Sequence, residues 1–255
     1  MSKLPKEHRF IDLSDYGRPI AQVIANSLKN TPTTAIHVTI GFIVSGLIAI
    51  YAIIQGYYWF SAFFLIFKSI LDAADGELAR LKQKPSYTGR YLDSVSDIIL
   101  NALFLLSVWY ISNTPIWMCL LAFIGMQLQG TLYNYYYVIL RTKHEGDTTS
   151  RVFEYKTPIA FKDEKQKHVD VLFWLYKFFY GVFDTIIYAL DRNANKGTVL
   201  PNWLMTAVSA FGLGFQLLII ATMLVLGLKD AILPFFFIFT AMVFVFIAIR
   251  KLFYH

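Results

Sequence analysis

The chain is short of charge and nearly devoid of cysteine. Asp, Glu, Lys and Arg make up 16% of its 255 residues, and there is one cysteine. So few charged side chains cannot cover an ordinary soluble domain. Cys119 alone cannot form an intrachain disulfide, and within its apolar run it reads as a small packing residue. The first thirty residues also lack the apolar core of a signal peptide, so the amino terminus is expected to be retained. What fills the composition instead is apolar: 56% hydrophobic residues, 17% aromatic. That range belongs to polytopic membrane proteins. A net charge of +6 could suit nucleic acid. Here the basic residues gather in loops flanking apolar runs, so no nucleic-acid partner is expected.

Six runs are long enough to cross a hydrocarbon core of about 30 Å, at roughly 20 residues each. They cover 34–55, 57–81, 89–111, 115–141, 200–228 and 231–250. The connections 55–57, 112–114 and 229–230 are nearly uncharged, whereas the other ends carry Lys and Arg. The positive-inside rule therefore puts both termini, the end of the second span and the start of the third on the cytoplasmic side. Two segments are apolar on one face only. In 19–29, Ile20, Val23, Ile24 and Leu28 recur at helical spacing behind Pro19, which predicts a helix on the cytoplasmic surface. In 169–192, Asp170, Lys177, Asp184 and Asp191 recur every seven residues as one polar stripe. This segment either lies in the interface or makes a seventh span that would move the carboxyl terminus outside; the charge rule favours the interface. The expected fold is an all-α polytopic membrane protein with six transmembrane helices, an amino-terminal surface helix, and an amphipathic interfacial helix between spans four and five. Residues 1–33 form a cytoplasmic amino-terminal segment and 34–255 the transmembrane domain, with a cytoplasmic or interfacial insertion over 141–199.

Residues 72–97 carry four aspartates, Asp72, Asp75, Asp93 and Asp97, at the ends of two apolar runs. Each carboxylate at membrane depth costs about 2.5–3.5 kcal/mol on insertion scales, so four together require a shared partner. A divalent cation removes that cost best, and oxygen-only ligands point to magnesium, manganese or calcium. Asp72, Asp75 and Ala79 step by three and four along one face of the second span, while Gly89, Asp93 and Asp97 step by four along the third. The short hairpin 82–88 makes the two helices antiparallel neighbours whose carboxylates can meet around one or two ions. Gly76 and Gly89 clear space for a ligand, and Arg80 offers a bidentate fork for phosphate. Magnesium completes its shell with water and phosphate oxygens, which implies a phosphorylated substrate. The interfacial position implies that one substrate is lipidic.

The string Asp72-x-x-Asp75-Gly76-x-x-Ala79-Arg80, eight residues, Gly89-x-x-x-Asp93-x-x-x-Asp97 resembles the signature of the CDP-alcohol phosphotransferase family at all its positions. The resemblance implies a membrane enzyme of phospholipid synthesis, moving a substituted phosphate from a CDP-linked donor to an alcohol and releasing CMP. It implies Mg2+ or Mn2+, a phospholipid membrane as partner, and a homodimer. By the same resemblance Asp72, Asp75 and Asp93 are the main metal ligands. Asp97 joins the metal site and serves as base. Gly76, Ala79, Arg80 and Gly89, with Asp72 and Asp75, contact the cytidine diphosphate. Family members often carry Pro-Asn before the first span, where this chain has Pro32-Thr33; Thr39 is expected to contribute to the nucleotide site. CDP-diacylglycerol is the favoured donor, because the chain is shorter than the large choline and ethanolamine phosphotransferases. The alternatives are CDP-choline or CDP-ethanolamine acting on diacylglycerol and, in another class, a divalent-cation transporter. No acidic residue continues an ion path through spans four to six. Lys68, Arg141 and Arg151 are candidates to bind the acceptor or a phosphate, with an ion pair or snorkelling as the other reading of Lys68.

Overall fold

Long apolar runs become helices here, and they stop where polar and turn-forming residues interrupt them. The computed structural model describes residues 4, 9–144, 156–197 and 200–254, and among these there is no strand. After a 3-10 turn at Leu13–Asp15 come α1 (Arg18–Leu28), α2 (Ala35–Ile54), α3 (Tyr58–Leu81), α4 (Tyr87–Ile111), α5 (Ile116–Lys143) and α6 (Gln166–Leu190). Then follow α7 (Asn202–Val208), α8 (Leu213–Val225), α9 (Lys229–Phe239) and α10 (Ala241–Phe253). By length and composition α2, α4, α5, α6 and the segment Lys229–Phe253 can each cross a membrane. Asn202–Phe211 with Leu213–Val225, bent by 55°, makes one more if counted as a single span. α3 falls outside that set because it carries Lys68, Asp72, Asp75, Glu77 and Arg80. It nevertheless runs antiparallel to α2 and packs on it more than on any other helix, which puts it at the same depth.

The bend in the 200–228 run differs from the unbroken span that hydropathy suggests. Gly212 is extended at the break, and a Cβ on Gly212 or Gly214 would collide with Ser14. Residues 12–14 lie in that crease. Leu13 N donates to Ser209 Oγ at 2.9 Å, and Tyr133 donates to Asp12. α1 packs on α3 through its small residues. Ala21 and Ala25 are buried against Ile70, Ala74 and Leu78 of α3, whereas Ile20 and Val23 are exposed. Two alanines permit close helix approach, with Ile24 and Leu28 packed beside them.

α6 is long enough to cross a bilayer, yet its contacts lead it across the bundle. The ring of Tyr91, in the first turns of α4, meets Phe173 at 5.5 Å and Tyr176 at 5.3 Å. Tyr180 Oη donates to Ser94 O at 3.0 Å. Just past the other end of α6, the Asp191 carbonyl accepts from Tyr135 Oη at 3.0 Å, in the last third of α5. α4 and α5 are antiparallel, so the start of α4 and the end of α5 lie on one side, and α6 bridges them there. Its outer face, with Val171, Trp174, Phe178 and Val182, is exposed.

Candidate active site

The turn between α3 and α4 sets the site's register. α3 closes with Gln83 in the left-handed region (φ 51°) and Lys84 N returning to Ala79 O at 3.2 Å, a helix C-cap of the kind glycine usually makes. Lys82 Nζ donates at 2.6 Å to the carbonyls of Thr31 and Thr33, fastening this turn to the start of α2. α4 begins at once. Ser86 Oγ accepts from Gly89 N at 2.8 Å and donates to Glu164 Oε1 at 2.7 Å. Glu164 also accepts from Thr88 N at 2.7 Å and Tyr87 N at 3.2 Å. A carboxylate on the free N–H groups of a helix start is favoured by hydrogen bonding and by the helix dipole. Burial opposes the charge on Glu164, but these hydrogen bonds outweigh it and hold its carboxyl below the usual range.

Two helical faces then meet. Asp72 and Asp75 of α3 and Asp93 of α4 each present an oxygen, and the three oxygens lie within 4.8 Å of one another. Ligands on opposite sides of an ion with metal–oxygen bonds of about 2.0–2.6 Å stand about 4–5 Å apart, so this spacing suits magnesium, manganese or calcium. Asp75 is buried and accepts from Thr39 Oγ1 of α2 at 2.6 Å. Asp93 Oδ1 is buried with no hydrogen-bond partner among the described residues. A buried carboxylate oxygen left so is costly unless a cation meets it, and the donor set fits a hard divalent ion.

Asp97 stands outside this trio. Its Oδ1 accepts from Lys68 Nζ, which also reaches Asp72 Oδ2 at 3.3 Å. Lys68 is fully buried, with its ammonium 4.5 Å from the centre of the Phe42 ring. It is therefore an ion-pair partner within the cluster.

Arg80 and Gly76 are neighbours one turn apart on α3: a Cβ on Gly76 would stand 3.5 Å from Arg80 Nη1. One arm of the Arg80 fork is held by Glu77, Nη2 to Oε2 at 2.9 Å, and its Nε has no hydrogen-bond partner among the described residues. Ala79 is half-buried on the same helix. Gly89 has a further role, because a Cβ there would press to 3.1 Å of the capping Ser86 Oγ. Arg141 is buried near the end of α5, its guanidinium 5.1 Å from the Tyr137 ring. Arg151 lies outside the described residues.

Four contributors escaped the sequence reading. Glu77 sits between signature positions and also approaches Arg18 Nη1 at 3.9 Å; its place three residues before Arg80 was the available signal. Arg18 also pairs with Asp15, a second i, i+3 pair. Glu164 and Tyr180 join α4 from more than seventy residues away, and no local pattern announces either. No curated protein matches the chain. A family model, CDP-alcohol phosphatidyltransferase, matches residues 30–161, the stretch that holds every element of the acidic cluster and more than half of the 255 residues. This match and the converging carboxylates agree: the chain belongs to the CDP-alcohol phosphatidyltransferase family, a family of transferases.

Proposed function

We propose that this transferase moves a phosphatidyl group from CDP-diacylglycerol to the hydroxyl of a small polar alcohol and releases CMP. The observation that carries this reading is the meeting of Asp72, Asp75 and Asp93 oxygens within 4.8 Å, on the two helices that also carry Gly76, Arg80 and Gly89. Asp72, Asp75 and Asp93 would hold Mg2+ or Mn2+, which when bound neutralises charge on the departing CMP oxygen. Arg80, together with Gly76, Ala79, Gly89 and Thr39, receives the cytidine diphosphate. Lys68 occupies Asp97 Oδ1, which leaves Oδ2 to take the proton as the alcohol oxygen attacks the β-phosphorus and the bond to CMP breaks. Arg18, Glu77 and Arg80 form a charged surround, which suits a hydrophilic acceptor better than diacylglycerol, with Arg141 and Arg151 as further acceptor contacts. In the membrane, both termini and the site face the cytoplasm, α6 lies in the interface plane with its apolar face toward lipid, and the enzyme works as a homodimer.

The test is CMP release by purified protein with Mg2+ or Mn2+, each donor class and a panel of alcohols. The reading expects release from CDP-diacylglycerol with a polar alcohol, abolished by chelator. Release only from CDP-choline or CDP-ethanolamine with diacylglycerol would reverse the donor assignment, and ion flux without nucleotide turnover would replace transfer by transport.

A further inference from the structure

We propose that the loop 156–165, together with the first turns of α6, docks on the headgroups of anionic lipid. The bilayer's surface charge then holds the loop that caps α4. This goes beyond the transfer reaction and holds whichever donor the enzyme takes. α4 has 25 residues, about 37 Å at 1.5 Å per residue. That exceeds a hydrocarbon core of about 30 Å, so the ends of α4 reach headgroup level. The loop is fastened to the start of this helix. Glu164 accepts from Ser86 Oγ, Tyr87 N and Thr88 N, and the Phe161 ring stacks on Tyr87 at 4.8 Å. Gln166 fixes the loop from inside: its Oε1 accepts from Ala160 N at 2.8 Å, and its Nε2 donates to Pro158 O at 3.1 Å.

The ordered loop turns apolar and basic side chains outward together. Ile159 is 88% exposed, although hydrogen bonds hold the backbone on both sides of it. Phe161 is exposed beside it, and so are Lys156, Lys162, Lys165 and Lys167. On α6, Lys167, Val171, Trp174 and Phe178 step by four, three and four along one exposed face. Of the three acids in 156–170, Glu164 is turned onto α4 and Asp170 accepts from Gln166 Nε2 at 2.8 Å. A rigid backbone thus holds an isoleucine out at headgroup level among four lysines, with a tryptophan one helix turn further on. Such a surface fits a partner that is apolar beneath and anionic above. Bilayers with acidic headgroups have that profile and attract each lysine near them. A neutral bilayer would take the isoleucine and tryptophan but give the lysines no counter-charge.

The experiment places a polarity-sensitive NBD fluorophore on Ile159→Cys in a Cys119→Ala background. The full-length protein is reconstituted into vesicles of phosphatidylcholine alone or of an equal mixture with phosphatidylglycerol. A blue shift and a severalfold rise in emission are expected in the anionic vesicles only, falling back at 1 M salt, where the screening length is about 3 Å. Replacing Lys156, Lys162, Lys165 and Lys167 together by glutamine should abolish the difference between the two vesicle types. The five side chains altered in the loop and α6 are exposed, so their replacement leaves the core intact, and an unchanged melting temperature checks this. Water-like emission in both vesicle types overturns the proposal. So does an equal blue shift in both, which would assign the loop to plain hydrocarbon or to a second copy of the chain. A difference that survives the glutamine replacements overturns the role of the lysines. The readout involves no turnover, so it stands or falls apart from the donor, the acceptor and the metal.

Discussion

The hydroxyl of Thr39 reaches Asp75 Oδ2 at 2.6 Å, so α2 supplies a hydrogen bond to a carboxylate thirty-six residues away in the acidic cluster. Thr39 also donates to Ala35 O at 3.1 Å, and its one proton is shared between the two acceptors. The bond orients Asp75 while leaving its other oxygen for an ion. Residues that orient a metal ligand typically change affinity or activity by about 10–100-fold when removed. Thr39→Val, nearly the same shape without the hydroxyl, should therefore raise the Mg2+ concentration for half-maximal CMP release about tenfold. Thr39→Ser should restore most of it. An unchanged metal dependence in Thr39→Val would show the bond to be dispensable.

Asp75 and Asp97 should fail in different ways. Asp75 is one of the three converging carboxylates, whereas Asp97 is held by Lys68. Asp97→Asn should lower CMP release by roughly 10²–10⁴-fold, the range for loss of a general base, while Mn2+ binding measured by dialysis persists. Asp75→Asn should weaken the binding itself. Full turnover by Asp97→Asn would remove it from the base role.

The course of α6 across α4 and α5 predicts that its two ends face one side of the membrane. In a Cys119→Ala background, single cysteines at Lys167 and Arg192, both exposed, should react with a membrane-impermeant maleimide from the same side of sealed vesicles. Reaction from opposite sides would make α6 a span. It would then carry α7 to α10 to the opposite orientation.

How much of this was visible in the residues follows from how local each interaction is. Asp72, Asp75, Asp93 and Asp97 were legible because helical periodicity puts them on two faces and a hairpin of a few residues makes those faces neighbours. Six apolar runs announced helices of membrane length. The direction of α1 was not legible, because periodicity marks an apolar face without saying whether it meets protein or lipid. Ala21 and Ala25 win the contact with α3 through closeness, although Ile20 and Val23 are more apolar. The break at Gly212 depends on Ser14, nearly two hundred residues earlier, and hydropathy averages over such a contact. Glu164 was not legible, because only the fold brings it to Ser86 and Thr88.

That long-range cap makes the last prediction. Glu164 stabilises the start of α4, the helix that carries Gly89, Asp93 and Asp97, and losing such a cap costs about 0.5–2 kcal/mol. Because its carboxyl is held below the ordinary range when folded, the ionised cap contributes fully above the unfolded value, about 4.3–4.5. That contribution disappears as pH falls through the lower folded value. Glu164→Gln should thus lower the unfolding temperature at pH 7 by a few degrees, and the gap between variant and wild type should narrow as the medium is acidified below about pH 4.5. Glu164→Asp, shorter but still an acid, should recover part of the loss. If the cap also holds the metal-binding face of α4 in register, Glu164→Gln will raise the Mg2+ requirement alongside the lower stability. A variant with reduced melting temperature and unchanged Mg2+ requirement would confine Glu164 to stability alone.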